Sequence, residues 1–371
     1  MKKSLISVVP ILALLAACSG GGSSSGPLPQ TPTLPAGSSS QTAPVNEAQS
    51  DAATPLQPLS VPSSNDLLYV GNTQNNSITV YRHDVSGNAT PLHVIYGKRT
   101  QLNSPAQLSE DAAGNLYVAN GGFSSASILV FAHGADGNVA PIREIAGPAT
   151  GLHHVVGMTV DQATGKIFAV DDTMPLGQGA TLLRFPPNSK GNQAPFANGT
   201  IAFWALELAS DSTGKNIIES NLAECCIAFS AGVRTLPKQF YNGTSLNSIY
   251  DVNDEYSSGI ADDPTTKTYL LTTPTGITRF TENTAGNGAD YGLPASFAPA
   301  IVGTITSDTC GTQVALGYLR NIYVSHSIQS GCATDAVYVY THDSSGNVAP
   351  LRVLSGPSTG LSTPSGIYEG K

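Results

Sequence analysis

Charge is scarce in this chain. Only 12% of its 371 residues are Asp, Glu, Lys or Arg, too few to coat the outer faces of long solvated helices. Basic residues are the scarcer sign, 17 against 26 acidic ones for a net charge of −9. Such a domain has no basic stripe with which to neutralise a phosphate backbone, so nucleic acid is excluded as a partner. The HExxH and glycine-rich phosphate-cradling motifs are also missing, which removes the standard zinc-protease and nucleotide signatures. After residue 17 no apolar run is long enough to cross a bilayer, for which ~20 residues are needed. Tryptophan occurs once, at Trp204.

What is abundant is glycine and proline, 63 residues together, a balance that favours many short strands joined by turns. Before that region, Lys2 and Lys3 precede an apolar run, Leu5 to Ala17, that ends at Cys18. A charged head followed by a short apolar body reads as an export signal over residues 1–17. Residues 18–64 carry Ser, Gly, Pro, Thr, Gln and Ala with almost no large apolar side chain. They cannot bury enough surface to offset ordering and read as a flexible linker, with a reach on the order of 35–40 Å. The rest of the chain, 65–371, keeps an even texture that suggests one repetitive domain.

The stretch Leu15-Ala16-Ala17-Cys18 resembles the bacterial lipobox. That resemblance implies lipidation of Cys18, and Ser19 beside it goes with sorting to the outer membrane of Gram-negative bacteria. The expectation is therefore a lipoprotein of the cell envelope, facing the periplasm or the exterior, that meets the membrane through its lipid anchor only. A secreted protein cleaved in the ordinary way is the alternative.

A strand-like segment recurs with Tyr69, Tyr117, Phe168, Ile218, Tyr269 and Tyr323 at its centre, in steps of 48, 51, 50, 51 and 54 residues. A period near 50 with this texture reads as propeller blades, each a four-stranded sheet that must stack on its neighbours to bury its faces. A GNxAP-type turn, with Gly87, Gly137, Gly191 and Gly346, separates the third and fourth strands of the clearest units. The terminal segment TPSGIYEG matches the innermost strands that begin near Ser104 and His154 and has no following partner, whereas NDLLYV at Asn65 to Val70 has no inner strand before it. The two ends are expected to share one blade, leaving no open sheet edge. An antiparallel sandwich is the rival fold, although sandwiches rarely keep a 50-residue period.

The segment GNVAPIREIAGPATGLHHVVGMTVDQATGKIFAV and its copies resemble the NHL-repeat propellers. The resemblance implies an all-β, six-bladed β-propeller. It implies no single activity, because that superfamily holds scaffolds, lactonases, lyases and receptor domains.

In that geometry two sets of loops surround the channel mouth, where ligands collect. Three residues past each anchor stand Asn72, Asn120, Asp171, Asn221, Thr272 and His326. Such residues either tie down the following loop or contact a ligand, and Asp171 and His326 break the Asn pattern. At the entrance to the inner strands stand Ser104, His154, Trp204, Tyr256 and Thr363. His154, Trp204 and Tyr256 would offer stacking surface to a glycan, peptide or flat ligand, with filling of the core the equal alternative for Trp204. The ligand-binding set is thus His154, Trp204, Tyr256, Asp171, His326, Asn120 and Asn221, with a protein, peptide or glycan as the partner, no cofactor, and the chain a monomer. His83, His133 and His342 repeat with the blades and cannot converge on one ion.

Resemblance to gluconolactonase-like and streptogramin-lyase-like propellers supplies the catalytic alternative. A divalent cation such as Ca²⁺ would sit among Asp171, Asn120, Asn221 and Glu207, with His326 as a further group. No Glu begins the first inner strand, as that pattern requires. Four cysteines follow Cys18, an even set that in an exported chain allows three pairings. Cys310 and Cys332 are expected on the channel face at neighbouring positions, which favours Cys310–Cys332 and leaves Cys225–Cys226 as a bridge between adjacent residues or as thiols.

Overall fold

A computed structural model describes residues 66–122, 126–172, 180–201, 204–210, 216–222, 232–237, 244–246, 250–253, 258–281, 301–317 and 319–370. Residues 1–65, which hold the expected signal, lipid site and linker, lie outside that set, as do Tyr256, Cys225 and Cys226. The described chain is built from strands, with a few single turns of 3-10 helix. All six anchors lie in the second strand of a sheet. Those strands are not half-polar: every residue of Leu116–Asn120, Ile167–Asp171 and Ile322–His326 is buried. Both faces of each sheet are covered, so continuous apolar runs replace strict alternation.

Counted from the inner strand outward, sheet I is Pro105–Glu110, Leu116–Asn120, Ser127–Phe131 and Arg143–Ile145. Sheet II is Val155–Val160, Ile167–Asp171, Ala180–Phe185 and Ala197–Ile201, and sheet III is Trp204–Ser210, Asn216–Leu222, Gly232–Pro237 and Tyr250–Asn253. Sheet IV is Ile260–Asp263, Thr268–Thr273, Gly276–Thr281 and Ile301–Ile305, and sheet V is Gly311–Leu316, Ile322–His326, Ala336–Tyr340 and Arg352–Ser355. Sheet VI joins the two ends of the domain: Pro364–Gly370 is its inner strand, followed by Leu67–Asn72, Ser77–Arg82 and His93–Ile95. There Tyr69 faces Tyr368 and Leu67 faces Gly370 in antiparallel register.

Each inner strand lies against the next, I to II and so on to VI, and that of VI lies against I, so the set closes on itself. Between every adjacent pair of sheets sits one apolar cluster. Ile128, Val130 and Ile145 of sheet I meet Met158, Ile167 and Phe185 of sheet II, and Tyr81 and Val70 of sheet VI meet Tyr323, Val339 and Leu354 of sheet V. This closed arrangement of radially stacked antiparallel sheets is a β-propeller.

The four-stranded pattern is met in five sheets, while sheet II carries a fifth strand, Thr244–Leu246, parallel to Ala197–Ile201. Its origin is a clasp that recurs round the ring. In sheet I the turn before the outer strand makes a parallel bridge from Gly137 to Ile95, the outer edge of sheet VI. Gly191 does the same to Ile145, Gly346 to Ile305 and Gly87 to Leu354. Thr244–Leu246 precedes the outer strand of sheet III and docks on sheet II in the same parallel sense, a longer version of the same contact.

After three of the four turn glycines an Asn completes the clasp. Asn192 Oδ1 accepts the Ala149 N–H at 2.7 Å, Asn138 Oδ1 that of Arg99 at 2.8 Å, and Asn88 Oδ1 that of Ser358 at 2.7 Å. The receiving backbone needs glycine: Gly147 has φ +117°, and a Cβ there would meet Asn192 Oδ1 at 2.6 Å. The GNxAP repeat is therefore a fastener between neighbouring sheets, and the glycines expected at positive φ have it, from +60° at Gly191 to +75° at Gly346.

Candidate functional site at the channel mouth

Five of the six inner strands open with a register shift against their second strand, at Pro105/Leu108, Val155/Gly157, Ala205/Glu207, Gly311/Gln313 and, in sheet VI, opposite Val70/Asn72. Bulges of this kind re-aim side chains at a sheet rim. Serines on the second strands catch the displaced amides: Ser220 Oγ accepts the Glu207 N–H and Ser325 Oγ that of Gln313, each at 3.1 Å. The result is a cavity of about 550 Å³ at the channel mouth. Its wall is rich in hydroxyls, with Thr272 from sheet IV, Thr312 and Ser327 from sheet V and Thr363 and Ser365 around the start of sheet VI. Glu207 is the one Asp, Glu, Lys, Arg or His side chain in that wall among the described residues.

Glu207 also lines a smaller cavity of about 280 Å³ further along the channel. It is 3% exposed, its Oε2 accepts the Ile260 N–H at 3.1 Å, and its Oε1 has no partner among the described residues. Burial pushes its carboxyl well above the usual carboxylate range, with the Ile260 amide pulling the other way. A carboxyl kept neutral in this manner donates a hydrogen bond instead of offering charge. Nearby, Gln107 bridges three sheets: its Oε1 accepts the Met158 N–H at 2.7 Å and the Leu208 N–H at 3.1 Å, and its Nε2 donates to the Leu208 carbonyl at 2.8 Å.

Four of the residues three past an anchor share one job. Asn72 Oδ1 accepts the Ser362 N–H at 2.9 Å, Asn120 Oδ1 that of Asn103 at 2.6 Å, Asp171 Oδ2 that of His154 at 2.8 Å, and Thr272 Oγ1 that of Gly259 at 2.7 Å. Each oxygen ties the loop that enters its own inner strand, which is the loop-tying alternative raised by the sequence. All four are buried. Their acceptor oxygens are thus engaged at home, and of the candidate cation set only Glu207 is in the cavity wall among the described residues.

His326 departs from the pattern. Its Nε2 lies 3.0 Å from Asp308, its Nδ1 lies 3.5 Å from Cys310 Sγ, and its ring stacks on Tyr338 at 3.9 Å. Cys310 is bonded to Cys332 in a disulfide, and because the two sulfurs are joined, this group is not a metal centre.

His154 stands immediately before the inner strand of sheet II, half-buried, with Nδ1 in contact with Asp172 Oδ1. Trp204 is the first residue of the inner strand of sheet III, and Asn221 lies in the second strand of that sheet; their side chains lie outside what is described. Ser104 and Thr363 likewise immediately precede the inner strands of sheets I and VI. The inner strand of sheet V, which resisted alignment by sequence, is Gly311–Leu316. Sequence reasoning gave no role to Gln107 or Asp308. Gln107 stands where the matching inner strands carry Gly157 and Gly366, and Asp308 lies in a loop off the repeat, so periodicity carries no signal for them.

No family model matches the chain, and no curated protein matches it. Solved structures share its shape. A chain of a nidogen/laminin complex aligns with TM-score 0.55 at 12% identity, over 82% of this chain and 98% of the other. A protein of unknown function from Bacteroides caccae aligns with TM-score 0.52 at 12% identity, over the same shares. The β-propeller domain of Myceliophteria thermophila Cps50 (Swd1) aligns with TM-score 0.47 at 11% identity, over 80% and 88%. At these identities the likeness is one of fold.

Proposed function

We propose that this chain is a binding scaffold whose channel mouth takes an uncharged, hydroxyl- or amide-rich ligand, such as a glycan or a peptide. The observation that carries this is the mouth cavity itself, walled by hydroxyls from sheets IV, V and VI around a buried carboxyl whose ionisation burial opposes. Such a wall offers donors and acceptors to a polar, uncharged ligand, and Trp204, the first residue of an inner strand, belongs to the proposed binding set. Binding is favoured over metal-assisted hydrolysis because Asn120 and Asp171 spend their oxygens on loop amides.

The finer identity is part of the same proposal: a six-bladed NHL-type propeller, with sheet II counted as a blade that borrows a strand, exported and lipidated at Cys18. The sequence at Leu15–Cys18 and the linker after it support that reading. Panels of neutral oligosaccharides and peptides, screened against wild type and confirmed by calorimetry, test the binding function. At least one class is expected to bind, with affinity reduced tenfold or more in Trp204→Ala and Glu207→Ala. Hits that bind both variants as tightly as wild type, or no binding at 1 mM on the order of the weakest useful affinity, overturn it. Incorporation of labelled palmitate that persists in Cys18→Ser overturns the anchor.

A further inference from the structure

His326 is the one described member of its positional set that does not tie a loop with an oxygen, and what it touches instead is a disulfide. Cys310 is half-buried and lines the mouth cavity, whereas Cys332 is 7% exposed. Cys332 is held from behind by a single helical turn: its N–H donates to the Ser327 carbonyl at 3.1 Å, and Ser327 Oγ caps the turn through the Gln329 N–H. One sulfur thus faces the cavity and the other is sheltered, with an imidazole beside the facing one. Behind the imidazole, Asp308 is 1% exposed and fixes Nε2 as the protonated nitrogen, leaving Nδ1 toward Cys310. The remaining titratable neighbours are phenols: Tyr338 stacks on the ring, and Tyr340 is pushed up by burial and by Asp308.

We propose that Cys310–Cys332 is a thiol–disulfide exchange centre that takes two electrons from a dithiol, such as a peptide carrying two cysteines, at the channel mouth. The incoming thiolate attacks Cys310 Sγ, forming a mixed disulfide. The protein S–S bond breaks and its electron pair leaves on Cys332 Sγ, which takes a proton and has the Cys310 carbonyl oxygen 2.7 Å away as acceptor. The second substrate thiolate then attacks the substrate sulfur of the mixed disulfide and expels Cys310 as a thiolate. His326, having taken the second substrate thiol's proton on Nδ1 while Asp308 holds its Nε2–H, stabilises that leaving sulfur. In total the substrate loses two thiol hydrogens and gains one S–S bond, while the protein disulfide becomes two thiols. The reverse sequence reduces a substrate disulfide with Cys310 as nucleophile and Cys332 as resolving cysteine.

The centre shares the mouth cavity with the binding reading but does not require a neutral ligand to be bound. Two measurements on the full-length chain test it. Wild-type protein is mixed with a bis-cysteine peptide, trapped with a maleimide and mapped by mass spectrometry. The expected result is oxidised peptide together with labelled Cys310 and Cys332 while circular dichroism stays native. A bond that resists excess peptide until the fold is lost is structural only and overturns the proposal.

The alkylation rate of Cys310 in Cys332→Ser is then followed against pH. A midpoint at least one unit below the ~8.5 of an unperturbed thiol is expected, returning toward that value when His326→Gln is added. A midpoint at the unperturbed value in Cys332→Ser, or one that His326→Gln leaves in place, overturns the role of the imidazole.

Discussion

Replacing Glu207 by Gln should change how stability responds to pH in a way that can be worked out beforehand. In the native protein Glu207 is 3% exposed, and burial holds its carboxyl well above the usual range. In the unfolded chain the same group ionises near a pKa of about 4.3. Between those two values the native state binds one more proton than the unfolded state, so this residue lowers stability by about 1.4 kcal/mol for each unit of rising pH. Glutamine has nearly the same shape, accepts the Ile260 N–H through its oxygen, and carries no proton to lose. Urea unfolding at half-unit steps across that window measures the effect. The difference in stability, Glu207→Gln minus wild type, should widen with rising pH at the stated slope. Parallel curves would show that Glu207 is ionised or solvated in the native state, and the neutral-wall argument would fail with it.

Other expectations are equally open to measurement. Asp263 is buried against Arg279 at 3.0 Å and Arg320 at 2.9 Å; burial alone would raise its carboxyl, but bonds from Thr266, His342 and Arg320 hold it well below the usual range. Its contribution is therefore present at neutral pH and lost as pH falls below about 3.9. Asp263→Asn should cost about 3 kcal/mol at pH 7, with the gap closing in acid, as read by denaturation at pH 7 and pH 3. Gly147→Ala should destabilise by about 1–3 kcal/mol, since the left-handed backbone and the Asn192 contact both oppose a methyl group; an unchanged melting temperature would remove the clasp as a source of stability. Deleting the segment from Pro364 onward should abolish a single cooperative melting transition. A truncated protein that melts as sharply at the same temperature would refute closure through sheet VI.

The architecture could be read because the residues that build it recur. Tyr69, Tyr117, Phe168 and Tyr323 repeat because each fills the gap between its own sheet and the next, whereas Tyr269 packs toward the preceding sheet, and the unpaired strand patterns at the two ends point to each other. Sheet II was harder: its fifth strand, Thr244–Leu246, belongs to a part of the chain where the GNxAP pattern has dissolved, so nothing local announces the parallel contact. The site was visible only in part. Glu207 emerged as a channel acid and Cys310 as the mate of Cys332, but the neutral state of Glu207 depends on burial from several sheets. The contact between Asp308 and His326 joins residues 18 apart across a loop without repeat character. Asp171 looked exceptional as the one acid in a row of amides, yet a carboxylate oxygen accepts a loop amide as readily as an Asn oxygen does.

Ribosomes deliver this polypeptide from its amino end, so Leu67–Ile95 emerges hundreds of residues before Pro364–Gly370, the piece that completes its sheet. Throughout that interval Leu67–Asn72 has a bare margin of amides and carbonyls able to recruit any extended peptide. A factor that shields this margin during synthesis, or a rate of elongation that shortens the wait, would govern how much protein reaches its final form.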